Sequence, residues 1–361
     1  MNVIFSRFKP ILMSARPLFG GMWAGINFFA FLSAARNVGA CCLVAGLVVT
    51  GPAYSQSSGA QGSWATKSPM PAPRNEVVAA AANGKIYVLG GSLSLNRDWS
   101  LTRNEEYDPA IDKWRSCAPL PSGASHMAAA VLDGKIYAIG GFVGQDHKGS
   151  IDRVFEYDPA SDAWRALAPL STPRGSVSAA VLDGKIHVIG GRVTTADGDW
   201  HSNGVVATHE VYDPATGKWT EAAPLPKARD HMVVAAIDGK IHAIGGRFAG
   251  NDDMIDWHDV YDPATKSWTS APPLPTARGG VSGTVYKGMI LVVGGEDEKR
   301  TYLENEAYDK KADRWLKLAP MPAGRHGHGV VAVGEFAYVV GGALKRGAGD
   351  TTDQLIAFKW P

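Results

Sequence analysis

The 361-residue sequence predicts an all-β fold, six four-stranded sheets packed radially into a closed ring, the architecture of a six-bladed β-propeller. Three observations carry this. A glycine pair recurs at Gly90-Gly91, Gly140-Gly141, Gly190-Gly191, Gly245-Gly246, Gly294-Gly295 and Gly341-Gly342. A tryptophan stands 26 residues before the first glycine of every pair, at Trp64, Trp114, Trp164, Trp219, Trp268 and Trp315. A Tyr-Asp pair lies seven residues before five of these tryptophans, at Tyr107, Tyr157, Tyr212, Tyr261 and Tyr308. One spacing held six times defines a repeat of about 50 residues.

The elements of one repeat follow in order. Between Ala128 and Gly141, two apolar runs flank Asp133-Gly134. An Asp-Gly or Asn-Gly between such runs predicts a hairpin, because a type I′ turn needs positive φ at both central residues. Asn83-Gly84, Asp183-Gly184 and Asp238-Gly239 recur at the matching place. These runs are strands a and b. The stretch Tyr157 to Trp164 places an Asp-Pro turn between two aromatic-bearing runs, strands c and d. The repeats show no helical period. One such sheet cannot cover both its faces alone, whereas six around an axis cover one another. Tyr and Trp supply the area between blades and keep a polar atom for a partner. The glycine pair ends strand b where a side chain would obstruct a neighbouring backbone or where φ is positive. A phosphate loop is excluded, since no helix and no Lys-Ser/Thr follows.

The two ends of the repeat region complement each other. Phe358 lies 17 residues after Gly341, the separation of Tyr107 from Gly90, and the sequence then stops at Pro361 without a strand d. Trp64 is a strand d with no a, b or c before it. Its strand is expected to close the sixth blade and remove a loose edge.

Glycine pair, Tyr-Asp and Trp at these spacings resemble the kelch repeat family, over roughly Ser63 to Trp360. The resemblance implies a kelch propeller, and that family includes protein adaptors, carbohydrate-binding modules and a few enzymes. Galactose oxidase-like members use copper with a tyrosine–cysteine crosslink. Cys117 falls on strand d beside Trp114 and no Tyr-His pair appears, which argues against that chemistry. Sialic acid epimerase-like members need an acid/base pair and an anion clamp. Glu76, Asp230, Glu296, His326 and His328 offer the first. The plant members that redirect glucosinolate breakdown use a spaced Glu/Asp/His iron set, which the stretch Asn251 to Asp259 does not match in spacing.

Residues 1–55 differ in kind. They hold Arg7, Lys9, Arg16 and Arg36, no acidic residue and two apolar stretches, followed by Ala53 and Ser55 before Gln56. This reads as a secretory signal cleaved before Gln56, with a membrane anchor as the alternative. The expected product is one propeller domain, residues 56–361, periplasmic or secreted and monomeric. It carries 32 Lys and Arg against 35 Asp and Glu, a net of −3. No basic stripe suggests nucleic acid, and no membrane contact is expected after cleavage. Cys117 alone remains of the three cysteines, so no internal disulfide forms.

The antiparallel order places the a–b and c–d turns on one face and the b–c and d–a connections on the other. The b–c loops are long and unequal, and such loops on a rigid scaffold carry binding. The expected ligand on that face is a glycan, peptide or protein. In the d–a connections Arg74, Arg174, Arg229, Arg278 and Arg325 precede strand a, with Ala124 in the second repeat. Two readings stand open: a ring of guanidiniums clamping a carboxylate at the channel mouth, or framework residues bonded to loop carbonyls. His126 and His231 sit two places after the arginine position, and His326 and His328 one and three after it. Their unequal registers predict that they do not converge on a metal, and no cofactor is expected. His187 and His242 replace strand b tyrosines and read as packing. Trp99, Asp197, Asp199, Trp200, His201, Asp252, Asp253, Asp256, Trp257 and His258 punctuate the loops, where a tryptophan stacks on a sugar or peptide or folds under its own loop.

Overall fold

The computed structural model describes residues 61–93, 100–145, 147–195, 204–248, 253–347 and 349–361, all within the compact unit Ser57–Pro361. The leader and its cleavage site lie outside the described residues, as do Trp99, Asp197, Asp199, Trp200, His201 and Asp252. Among the described residues there is no helix, and so none long and apolar enough to cross a membrane.

Six four-stranded antiparallel sheets form the blades of a propeller. The first is Val78–Ala82, Lys85–Leu89, Asn104–Asp108 and Lys113–Ser116, as strands a to d. The sixth is Gly329–Val333, Phe336–Val340 and Leu355–Lys359, completed by Ser63–Lys67, so the ring closes as expected. Trp64 pairs with Phe358 across that seam, their rings 4.9 Å apart. Cys117 follows strand d of the first blade rather than lying on it, and is buried.

Burial grades outward. Strand b is buried over its last four residues in every blade, while strand d is largely exposed. Each apolar cluster spans two blades: Leu89 and Tyr87 of the first pack with Ile136 and Tyr157 of the second. Full burial of one such aliphatic side chain stabilises by about 1.5–3 kcal/mol. Asn83, Asp133, Asp183 and Asp238 and the glycine after each have positive φ, the type I′ geometry predicted. The tryptophans tie blade to blade, each indole Nε1 donating to a carbonyl of the preceding blade at 2.8–2.9 Å, from Trp64 to Ala319 through Trp315 to Pro272.

The five arginines are completely buried. Arg278 shows the pattern: it donates to the Gly294 carbonyl at 2.7 Å, to the Thr276 carbonyl at 2.8 Å and to the Glu306 carboxylate at 2.6 Å. Arg74, Arg174 and Arg229 likewise join a strand b carbonyl or the first glycine's carbonyl to Glu105, Glu210 and Asp259. Arg325 bonds the Gly341 carbonyl and Gln354 instead, and with no acidic partner among the described residues its pKa falls to about 10 through burial. Of the two readings left open for the arginines, the geometry is that of framework and not of a ring at the mouth: the side chains fold into their own blades and stitch strand a to strands b and c.

His187 and His242 are packing residues, as expected. His187 Nδ1 lies 2.9 Å from His209 Nε2, and His242 Nδ1 lies 2.8 Å from His258 Nε2. His258 is the first residue of a strand c (His258–Asp262) rather than a loop aromatic. Burial lowers the pKa of His187, His209 and His258 to about 4 and that of His242 to about 3, so all four are neutral in the folded protein.

These features set three measurable outcomes. Trp64→Ala should cost about 2–4 kcal/mol by emptying the closing seam, read as a lower urea midpoint with unchanged slope. Arg278→Ala should cost about 3–5 kcal/mol because Glu306 is left ionised and buried; adding Glu306→Gln should recover about half of that, whereas a ligand-clamping arginine would leave the midpoint unmoved. The buried histidines protonate near pH 6.5 when unfolded but only near 4 or below when folded. Stability is therefore full above about pH 6.5 and falls as pH is lowered toward 4. If two or more protons are taken up on unfolding, the slope is about 2.7 kcal/mol per pH unit or more, and urea midpoints between pH 7 and 4.5 measure it.

Candidate functional site

The mouth of the axial channel is built from two rows of residues. One follows the arginine position. The first place after it, Asn75, Ser125, Gly175, Asp230, Gly279 or His326, pairs by backbone with the residue just after the glycine pair, Ser92, Phe142, Arg192, Arg247, Glu296 or Ala343. The d–a and b–c connections thus meet on one face, as the topology required. The second place is Glu76, His126, Ser176, His231, Gly280 or Gly327, and all six have positive φ between 49° and 64°. Backbone bonds run around the mouth through this row, from His126 N to Glu76 O at 3.1 Å, Ser176 N to His126 O at 2.9 Å, His231 N to Ser176 O at 3.4 Å and Gly280 N to His231 O at 3.1 Å. Below the mouth, strands a line a cavity of about 170 Å³ whose walls are small residues such as Ala79, Ala129, Ser178 and Gly283.

The side chains of both rows form a polar cup. On one side His126 Nε2 is 3.1 Å from Glu76 Oε2, and His231 Nδ1 is 2.9 Å from Asp230 Oδ1. Arg192 Nε donates to the other Asp230 oxygen at 2.7 Å. His147, from the b–c loop of the second blade, packs against both histidines, its ring 4.6 Å from that of His126 and 5.1 Å from that of His231, which are themselves 5.4 Å apart. On the other side His326 lies 3.3 Å from Glu296 and 3.4 Å from Glu76, and Arg247 ion-pairs with Glu296.

Charge in the cup is set by these partners. Burial works against ionisation of Glu76, but His126, His326 and His231 hold its carboxyl well below the usual range. Burial also opposes ionisation of Asp230, and His231, Arg192 and Arg247 overcome it. Burial lowers His126 to about 4, despite Glu76 beside it, and pushes His147 well below its ordinary value with help from its two imidazole neighbours. His326 goes the other way: burial disfavours its charge, yet Glu296 and Glu76 raise its pKa. His328 lies buried behind the wall, lowered to about 3 by burial.

Of the residues expected at the site, the structure brings His126, His231 and His326 to the mouth with Glu76, Asp230 and Glu296. His126 and His231, which share one register, meet at the mouth, while His326 and His328, in other registers, do not join them. Trp257 is half-buried under its own surroundings, Lys227 4.2 Å above its ring and Phe248 5.5 Å away. Arg192, Arg247 and His147 were not singled out. The first two could have been found by scanning the residue after each glycine pair; His147 sits at no repeated position.

Comparison with known proteins agrees with the fold. Residues 73–121 and 123–171 match kelch motif models, and residues 173–342 match a kelch-repeats domain model described for KLHDC2, KLHL20 and DRC7. Kelch-like protein 13 of Homo sapiens is 57% identical over 35 residues, 10% of this chain and 5% of that protein. Kelch-like protein terF of Aspergillus terreus is 45% identical over 49 residues, 13% of this chain and 11% of that protein. The chain thus matches only a small part of the length of these relatives. The solved structure of YjhT superimposes with a TM-score of 0.66 at 18% identity, covering 79% of this chain and 95% of that one. With the repeat models running from residue 73 to 342 and six four-stranded blades closed into a ring, this chain belongs to the kelch-repeat β-propeller family.

Proposed function

We propose that this propeller is a binding module that takes a protein or peptide partner on its b–c/d–a face and seats one side chain or chain end in the polar cup. The difference between the two faces carries this reading. The a–b and c–d face repeats tight turns in blade after blade. The mouth face differs from blade to blade at the two rows that line it, with an acid, two imidazoles, a hydroxyl and two glycines as the second-place residues. Repeated positions build scaffold; positions that differ between otherwise equal blades make a surface with one orientation. Size supports the choice of ligand. Pockets for drug-sized molecules run to about 300–1,000 Å³, whereas this cavity holds about 170 Å³, room for a side chain or terminus. The acid-free basic leader supports a place of action outside the cytoplasm.

An enzyme acting on an acidic sugar keeps part of its support. Glu76, Asp230, Glu296 and His326 meet at the mouth, as acid/base chemistry would need. The clamp assigned to the five arginines falls away with their burial, and Arg192 and Arg247 are each already matched by a carboxylate.

Selection of a displayed peptide library on the purified chain, with calorimetry of the enriched peptides, tests the reading. Glu76→Gln and Arg247→Gln should each weaken the selected peptides about tenfold or more, roughly 1.4 kcal/mol. Lys185→Ala, beside the a–b turn of the third blade, should leave them unchanged. Peptides indifferent to the cup variants, or an array on which only glycans bind, would sink it.

A further inference from the structure

His126, His147 and His231 reach one point from three separate segments: the d–a connection before the second blade, the b–c loop of that blade, and the d–a connection before the fourth. One ring nitrogen of each lies within 4.8 Å of those of the other two. His147 Nε2 and His231 Nε2 are 3.3 Å apart. Two imidazole nitrogens held at 2.0–2.1 Å by a tetrahedral ion are about 3.3 Å apart, so this edge of the triangle already has the length a metal would impose.

The surroundings orient these rings. Asp230 Oδ1 sits 2.9 Å from His231 Nδ1, and Arg192 Nε fixes Asp230 through its other oxygen at 2.7 Å. A carboxylate beside Nδ1 favours the proton there and leaves the lone pair on Nε2, which faces His147 and, at 3.3 Å, Ser176 Oγ; a carboxylate so placed supports metal-bound histidines in general. His126 has a partner at each ring nitrogen, Ser125 Oγ 3.0 Å from Nδ1 and Glu76 Oε2 3.1 Å from Nε2, so an ion would take the place of one of them while the other orients the ring.

We propose that His126, His147 and His231 form a tri-histidine site for one divalent transition ion of zinc type, with the remaining coordination position available to water or to a carboxylate entering the mouth. Three neutral imidazoles suit zinc and its neighbours in the first transition row better than magnesium or calcium, which prefer oxygen. The site stands on the three side chains and their carboxylate supports, and does not depend on the identity of the partner proposed above.

The test uses the untagged chain, stripped by dialysis against a chelator and titrated with Zn²⁺ by calorimetry and with Co²⁺ by visible absorption. One equivalent should bind, and Co²⁺ should show the intense bands of a four- or five-coordinate ion. His147→Ala, on a loop outside the backbone belt, should weaken binding at least a hundredfold with the thermal transition retained. Asp230→Asn should weaken it about 10- to 100-fold, the usual effect of removing a carboxylate behind a ligating histidine. Absence of saturable binding of both ions would overturn the proposal. So would one equivalent that persists in His147→Ala and in His231→Ala, leaving the imidazoles as a hydrogen-bonded cluster.

Discussion

The ring depends on one backbone hydrogen bond made six times. The amide of the second glycine of each pair donates to the carbonyl at the arginine position of the next blade. Gly91 bonds Ala124, Gly141 Arg174, Gly191 Arg229, Gly246 Arg278, Gly295 Arg325 and Gly342 Arg74, all at 2.8–3.1 Å. The last of these joins the sixth blade to the first. The first glycine of each pair lies against the same carbonyl, so close that a Cβ there would meet its oxygen at 2.3–3.1 Å. Chain contact at this spot leaves no room for a side chain, which is why the glycine pair recurs whatever else a blade changes.

That bond fixes the arginine position, and the arginine then fixes its blade. With its carbonyl held by the preceding blade, the side chain turns inward and satisfies carbonyls at the end of strand b and, in all but Arg325, an acid on strand c. In the second blade Ala124 keeps the carbonyl and omits the guanidinium, and the ring bond still forms. The backbone bond is therefore the part that every blade needs. The next two residues must climb from that anchor into strand a, and the second of them does so with positive φ in all six blades. This conformation brings Glu76, His126, Ser176 and His231 to the mouth. The site is a by-product of how blades are joined: the positions adjoining the anchor are placed by the scaffold but left to vary in side chain.

The same logic explains what the sequence showed and what it concealed. Glycine pairs and tryptophans were legible because each meets an identical steric or hydrogen-bonding demand in every blade, and Tyr-Asp pairs because they do so in five of the six. Closure by Trp64 was legible because a missing strand at one end matched a surplus strand at the other. The arginines were conspicuous for the same reason that they are framework: a side chain repeated in five of the six blades is spent inside the blade. Repetition marks framework, and the informative columns are those beside it where the residue changes. Glu76, His126 and His231 could be read that way, and so could Arg192, Arg247 and Glu296 after the glycine pairs. His147 could not, because a long loop folds back over the mouth to deliver it and no spacing records that path.

The cup that results is electrically divided. Burial lowers the pKa of His126 and His147, while His126, His326 and His231 hold the Glu76 carboxyl, and His231, Arg192 and Arg247 that of Asp230, below the usual range. Around His326, two carboxylates favour the imidazolium and Arg247 adds a fixed cation. A group entering the mouth thus meets lone pairs on one wall and donors on the other, within a cavity too small to let it turn freely. A six-fold scaffold has no preferred direction of its own. The unequal residues at two rows supply one, and with it the means to hold an incoming group in a single orientation.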